Sequence, residues 1–398
     1  MTTVRLASLL TVTAAVFAVA AGITAPTAAA APAEPTAPPA ASEPGAPSAA
    51  PKTPSATQAP ATTADSPASK TPPATSDPAA AAAAADPDGT LKLGKLRGDV
   101  AAHDPALVKG GNGKDWYVFS TGDAKVGGGT IQIRSSKNGR DWTLAGTVWD
   151  KIPGWLTEMV PGTSYLWAPE IHQHGGTYYL YYSASTWGHN NSVIALATNT
   201  TLDPSDPNYK WVDQGKVVRS VPASDFNAID AGIVEDAAGT PWLAFGSYWS
   251  GIRMVKLQWP SGKRADKVVP LRIADRKRAP NAIEAATIVP HDGWYYLFTS
   301  WGQCCEGANS DYKIVVGRSR DVTGPYVDKD GDSLLDGGGS VLQKTSGDRV
   351  GPGGQSWSDG VIAYHYYDAA ADGATKLSLK QMRWGEKGWP ELNAAKSQ

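Results

Sequence analysis

Trp294-Tyr295-Tyr296-Leu297-Phe298-Thr299-Ser300, set just after the turn at Asp292-Gly293, is a run of aromatic and β-forming residues. Such a run reads as a strand packed into a sheet. Four other stretches share its character: Trp116-Tyr117-Val118-Phe119-Ser120, Tyr178-Tyr179-Leu180-Tyr181-Tyr182-Ser183, Trp242-Leu243-Ala244-Phe245-Gly246-Ser247 and Val361-Ile362-Ala363-Tyr364-His365-Tyr366-Tyr367. Each follows a glycine-containing turn and precedes a second strand-like run, at residues 131–135, 192–197, 251–257, 314–319 and 376–382. The unit recurs about every 55 to 70 residues, within reach of a four-stranded propeller blade with long loops. Helical periodicity is scarce. Five copies predict an all-β, five-bladed β-propeller, because radial repetition leaves only short, protected edges. A two-sheet sandwich is the competing architecture, but it does not account for five similar units.

Acids sit at the heads of these units. Asn227-Ala228-Ile229-Asp230 is echoed 54 positions later by Asn281-Ala282-Ile283-Glu284, so the two acids are expected at equivalent places in two blades. Asp104, in His103-Asp104-Pro105, opens a similar run near the start of the folded part. Aligning the strand before each aromatic strand adds Glu170 and Gln355. First strands of blades line the central channel, so four acids and an amide are expected to crowd its mouth. Packed carboxylates repel and lose hydration, which raises the pKa of at least one and suits acid/base hydrolysis of a glycosidic bond. The bland reading is that they bond adjacent blades or hold a central water or cation.

The rest of the chain bounds the setting. It has 398 residues. Residues 1–30 carry Arg5, an apolar stretch and small residues ending in Ala28-Ala29-Ala30, the pattern of a secretory signal peptide. Residues 31–88 are almost all Ala, Pro, Thr and Ser, too poor in large apolar groups to fold, and read as a disordered linker. Residues 89–398 remain for the propeller. A formal net charge of −2 without a Lys/Arg cluster argues against nucleic acid or an anionic membrane as partner. The protein is thus expected to be secreted, free of the membrane after signal cleavage, and monomeric. The two cysteines, Cys304 and Cys305, are neighbours. Either a vicinal disulfide or two thiols is open at this point.

Taken in order, His103-Asp104-Pro105, Leu166-Trp167-Ala168-Pro169-Glu170, Asn227-Ala228-Ile229-Asp230, Phe245-Gly246-Ser247-Tyr248-Trp249-Ser250-Gly251 and Asn281-Ala282-Ile283-Glu284 resemble glycoside hydrolase family 43. Trp149-Asp150-Lys151-Ile152-Pro153, the Cys304-Cys305 pair and Tyr312 to Ser319 look most like the arabinanases of that family. The resemblance implies an inverting hydrolase of α-1,5-linked L-arabinofuranose chains (arabinan), with an endo action suggested by Lys151 to Tyr165. By position it implies that Asp104 is the general base, Glu284 the general acid and Asp230 the carboxylate that raises and orients the acid. Sugar contacts are expected at Trp167, Glu170, Tyr248 and Trp249. No cofactor is required. A central structural cation, with His103 at most as its ligand, is left open, because Gly354 stands where many bacterial members carry a histidine.

Other signals are set aside. Asp328, Asp330 and Asp332 lack the glycine and glutamate of a calcium loop, and the Gly-rich tracts lack a phosphate-binding helix. His172, His174, His189 and His291 look turn-like, and His365 reads as a satisfied core residue. The competing functions are an exo-acting α-L-arabinofuranosidase or β-xylosidase with the same machinery, and a carbohydrate-binding propeller without turnover.

Overall fold

A computed structural model describes residues 93–110, 114–385 and 387–392. The expected signal peptide, the linker and the start of the third segment at residue 89 lie outside these residues. The regular structure of the described part is almost all strand, and the α-helix found in it is the short Gly154–Met159.

Five antiparallel sheets follow one another along the chain. Blade 1 runs inward to outward through Ala106–Val108, Trp116–Ser120, Gln132–Ser136 and Asp141–Thr147, with Arg97–Gly98 added in parallel at the outer edge. Blade 2 comprises Trp167–His174, Thr177–Ala184, Ser192–Asn199 and Val212–Ser220. Blade 3 comprises Gly232–Glu235, Pro241–Phe245 and Ile252–Gln258, the last pairing with both Lys263–Arg264 and Leu271–Ala274. Blade 4 comprises Ile283–His291, Trp294–Trp301, Lys313–Ser319 and Ser340–Gln343. Blade 5 comprises Arg349–Ser358, Val361–Asp368, Ala374–Trp384 and Pro390–Leu392. Every aromatic run is the second strand of its blade, as the sequence predicts.

These second strands are buried because both faces are covered by neighbouring blades. One apolar cluster lies in each seam. Phe119 and Ile133 of blade 1 pack on Leu180 and Tyr182 of blade 2, and Tyr181 and Leu196 on Leu243 and Phe245 of blade 3. Met254 meets Ile288 and Leu297 across the next seam, and Phe298 and Val316 meet Ile362 and Tyr364 across the one after. The ring closes where Val361 and Leu377 of blade 5 cover Leu107 and Val118 of blade 1. Burying each such side chain is worth about 1.5–3 kcal/mol, so the five seams carry the fold. At the closing seam the Leu107 and Lys109 amides donate to the hydroxyls of Ser356 and Ser358, each at 3.0 Å.

The innermost strands share one backbone device. Asp104, Ala168, Asp230, Ala285 and Gly354 all adopt left-handed φ, between +41° and +61°. In each blade the residue two positions later, Ala106, Glu170, Gly232, Thr287 or Ser356, is the one whose pairing with the second strand runs on outward. The chain therefore kinks once per blade, at the mouth of the channel, before settling into regular ladder. L-residues pay roughly 1–2 kcal/mol for this conformation, and Asp tolerates it better than most.

The kinks correct one expectation. Asp230 stands on the kink of blade 3, whereas Glu284 stands one residue before that of blade 4, so the two acids are not equivalent despite the echoed Asn-Ala-Ile. Three histidine readings change as well. His172 and His174 lie on the strand Trp167–His174, where both bond Glu235 Oε1, at 3.2 and 2.8 Å, and His291 ends a strand and stacks on Trp384.

Candidate active site

A cavity of about 890 Å³ opens over the kinked ends of the inner strands. His103, Asp104, Trp167, Asp230, Tyr248, Trp249 and Glu284 all line it, so seven of the expected residues are brought together from four blades. Glu170 is not among them. Two positions beyond its kink, it points down the channel and lines a separate space of about 20 Å³, room for a single water, together with Gln355. Its expected role as a sugar contact does not fit this placement. Burial pushes its carboxyl up to about 8, opposed only by the Ile233 amide at 3.5 Å.

The three acids of the cavity have different surroundings. Asp104 Oδ2 accepts from the Thr121 hydroxyl at 2.8 Å and faces His103 Nδ1 at 2.7 Å. Burial alone would raise this carboxyl, but the two histidines, His103 above all, and Thr121 hold it down at about 2. Its other oxygen, Oδ1, lies 3.5 Å from His365 Nδ1. Asp104 is therefore held toward its ionised form, and its Oδ1 carries no hydroxyl donor among the described residues.

Glu284 is 8 % exposed and is gripped by two hydroxyls, Ser247 on Oε2 and Tyr312 on Oε1, each at 2.6 Å. Burial raises it, with Asp104 adding to the effect and the two hydroxyls opposing. Asp230 is raised further, first by burial and then by the charges of Glu284 and Asp104, with only the Ala285 amide at 3.2 Å to favour its ionised form. Two carboxyls so placed do not both ionise readily. One acid held toward its ionised form and two held away from it thus face one cavity.

Several of these side chains escaped the sequence reading. Ser247 and Tyr312 were visible only as parts of motifs, and Thr121 not at all. His365 is no ordinary core residue: it stacks on His103 with ring centroids 3.9 Å apart, accepts the Asp104 amide at 3.1 Å on Nδ1, and leaves Nε2 buried without a protein partner. Burial, then the adjacent His103, push it well below the usual imidazole range. Trp187, 71 % exposed, extends a row of rings from Tyr165 through Trp167, with centroid spacings of 5.8 and 6.5 Å. A signal existed for Trp187, an indole in a Gly-containing loop.

The question of a cation turns on Gly354. A Cβ there would lie 2.4 Å from Asp104 Oδ1 and 2.8 Å from His365 Nδ1, so no side chain fits, and His365 from the neighbouring strand fills the space. His103, Asp104 and His365 offer atoms within 4.8 Å of one another. They do not fit a resident ion, because both His103 nitrogens and His365 Nδ1 are already engaged by Asp104 and Tyr367. The buried His365 Nε2 is the atom left over for a water.

Cys304 and Cys305 are joined in a disulfide and form part of the cavity wall. Asn190 and Asn199, the asparagines of the glycosylation sequons Asn190-Asn191-Ser192 and Asn199-Thr200-Thr201, are buried.

Comparison with known proteins gives a consistent result. The family model of "Glycosyl hydrolases family 43" matches residues 96–390. The extracellular endo-α-(1→5)-L-arabinanase 1 of Bacillus subtilis is 39 % identical over 290 residues, covering 72 % of this chain and 86 % of that protein. The extracellular exo-α-(1→5)-L-arabinofuranosidase ArbA of Cellvibrio japonicus is 40 % identical over 313 residues, covering 74 % and 87 %. Among solved structures, the family 43 endo-arabinanase of Bacillus licheniformis superposes with a TM-score of 0.70 at 38 % identity, covering 75 % of this chain and 99 % of that one.

Proposed function

Since this chain belongs to glycosyl hydrolase family 43, we propose that it is a secreted, inverting hydrolase of arabinan that cuts α-1,5 bonds within the polymer. One observation carries the proposal: Asp104, Asp230 and Glu284 line a common cavity, the first held toward its ionised form and the other two away from it.

An inverting hydrolase needs a base on one face of the sugar and an acid on the other, separated by roughly 6.5–9.5 Å to admit a water. Asp104 is the base. His103 and Thr121 fix Oδ2, and Oδ1 takes a proton from the attacking water. Glu284 is the acid, delivering its proton to the leaving oxygen while Ser247 and Tyr312 steady the carboxylate that results. Asp230 keeps that proton available: burial and the charges of Glu284 and Asp104 favour its protonated form, which is a local reserve for the acid. Transfer is then set by the pair rather than by either acid.

Trp167 and Tyr248 are placed to meet sugar faces, and the row Tyr165, Trp167, Trp187 suits successive residues of a chain rather than one terminal unit. That row favours endo action. The exo reading rests on the Cellvibrio relative, whose name states exo action. Export is favoured by the N-terminal pattern of residues 1–30 and by relatives named extracellular. No resident metal takes part in these steps.

Digestion of linear arabinan, followed by product length and by the anomeric form released, tests this. A mixture of oligosaccharides born as the inverted anomer is expected. Arabinose alone supports exo action, a retained anomer removes the role given to Asp104, and no product from any furanoside or xylan leaves a binding propeller.

A further inference from the structure

The cysteine pair has no part in the steps above, yet it is tied to them. Cys305 adopts φ +70° in the loop between the second and third strands of blade 4. Its amide donates to Tyr367 Oη at 2.7 Å, Tyr367 Oη lies 3.0 Å from His103 Nε2, and His103 Nδ1 lies 2.7 Å from Asp104 Oδ2. A phenol oxygen that accepts from a fixed amide directs its single proton elsewhere, and of the two partners in reach, His103 Nε2 and the Ser310 hydroxyl, His103 is the one that also faces Asp104. The imidazole proton then sits on Nδ1, facing the carboxylate. That orientation is what keeps Asp104 ionised.

We propose that the Cys304–Cys305 disulfide is a positioning element for the catalytic base, holding the Cys305 amide on Tyr367 so that His103 presents a proton to Asp104. The inference rests on the reading of Asp104 as base. The eight-membered ring closed by adjacent cysteines restricts the backbone of Cys305 far more than an ordinary residue is restricted. Once opened, Cys305 is free to leave its left-handed conformation, an unfavourable one for a side chain with a Cβ. Tyr367 then loses its fixed donor, and His103 can place its proton on Nε2, turning a lone pair toward Asp104.

The rest of the loop is anchored independently, by the Gln303 amide on Asp311 Oδ1 at 2.6 Å and the Glu306 amide on Ser310 Oγ at 3.1 Å. Opening the ring therefore acts locally. The titratable groups facing Asp104 are His103 beside it, His365 and Tyr367 from blade 5, Asp230 from blade 3, and Glu284 and Tyr312 from blade 4. Of these the relay touches only His103 and Tyr367.

The test uses the full chain and a water-soluble phosphine. The phosphine gives two electrons to the S–S bond and takes the oxygen of one water, whose two protons end on the sulfurs. Thiol titration counts the two thiols formed. With an arabinooligosaccharide as substrate, reduction is expected to lower kcat roughly tenfold with KM little changed, and to move the acid limb of kcat/KM up by about one pH unit. Re-oxidation restores both. The C304S/C305S variant should behave as the reduced protein, and Y367F should show the same loss without responding further to the phosphine.

Unchanged kcat and acid limb after full reduction would overturn the proposal. So would a change in KM alone, which makes the pair only a wall of the cavity, or an undiminished response in Y367F. D104N separates the two readings: if it keeps full activity, the assignment of the base has failed rather than the relay.

Discussion

At the scale of single residues, Glu284 and Glu170 show how the same side chain acquires opposite uses. Glu284 faces the cavity with two hydroxyl partners, so Glu284→Gln leaves the packing intact and removes a transferable proton. Hydrolysis of arabinan should fall by roughly 10²–10⁴, and an aryl arabinofuranoside whose leaving group needs no protonation should recover most of the rate. Steady-state kinetics on both substrates checks this. An equal loss on both would remove the acid role. Glu170 faces the closed space below, with a folded value of about 8 against an ordinary 4.5. Below pH 4.5 it is neutral in folded and unfolded chains alike. As pH rises toward 8 the unfolded chain ionises first, so this residue costs stability across that window. Glu170→Gln should melt like the parent at pH 4.5 and gain on the order of 2 kcal/mol at pH 8, read from thermal or urea unfolding. The residue letter alone distinguished neither case. Both were expected at the channel mouth, and a three-residue difference in position relative to the kink separated them.

At the scale of the element, the inner strand of each blade was legible from alternation and from the aromatic strand that follows it, because both sheet faces are buried. Its kink was not. Left-handed backbone is often announced by glycine or asparagine, but here two kinks hold alanine, Ala168 and Ala285, and nothing in their identity marks them. That is why the echoed Asn-Ala-Ile motif suggested an equivalence that the backbone breaks by one residue. His365 was hidden for a related reason. It lies inside an apolar strand, and its partner Asp104 is 261 positions away, a pairing that only closure of the ring creates. Gly354 is the kink where the missing side chain is itself the requirement, since Asp104 Oδ1 and His365 occupy its surroundings. Gly354→Ala should cost about 1–3 kcal/mol and lower kcat by roughly tenfold or more, through displacement of the base. Melting and kinetics on the same sample test this, and an alanine variant with unchanged kcat would mean that Asp104 has slack.

At the scale of the whole molecule, five apolar seams make the ring, and only the seam between blades 5 and 1 joins distant parts of the chain. There, buried amides of blade 1 rest on the hydroxyls of Ser356 and Ser358. Ser356→Ala strands the Leu107 amide without an acceptor and should lower stability by about 1–3 kcal/mol. The urea midpoint should fall with an unchanged slope, because the blades still unfold together. A second transition would instead show that the closing seam opens on its own.

The five kinks have a last consequence. Each blade turns at the same place in its inner strand and presents one residue there, and in this protein acids fill two of the five positions, alanines two and glycine one. The backbone is thus a mount with interchangeable fittings. A carboxylate exchanged for alanine at one position and introduced at another changes the direction from which a bound molecule is attacked, while the sheets behind it keep their shape.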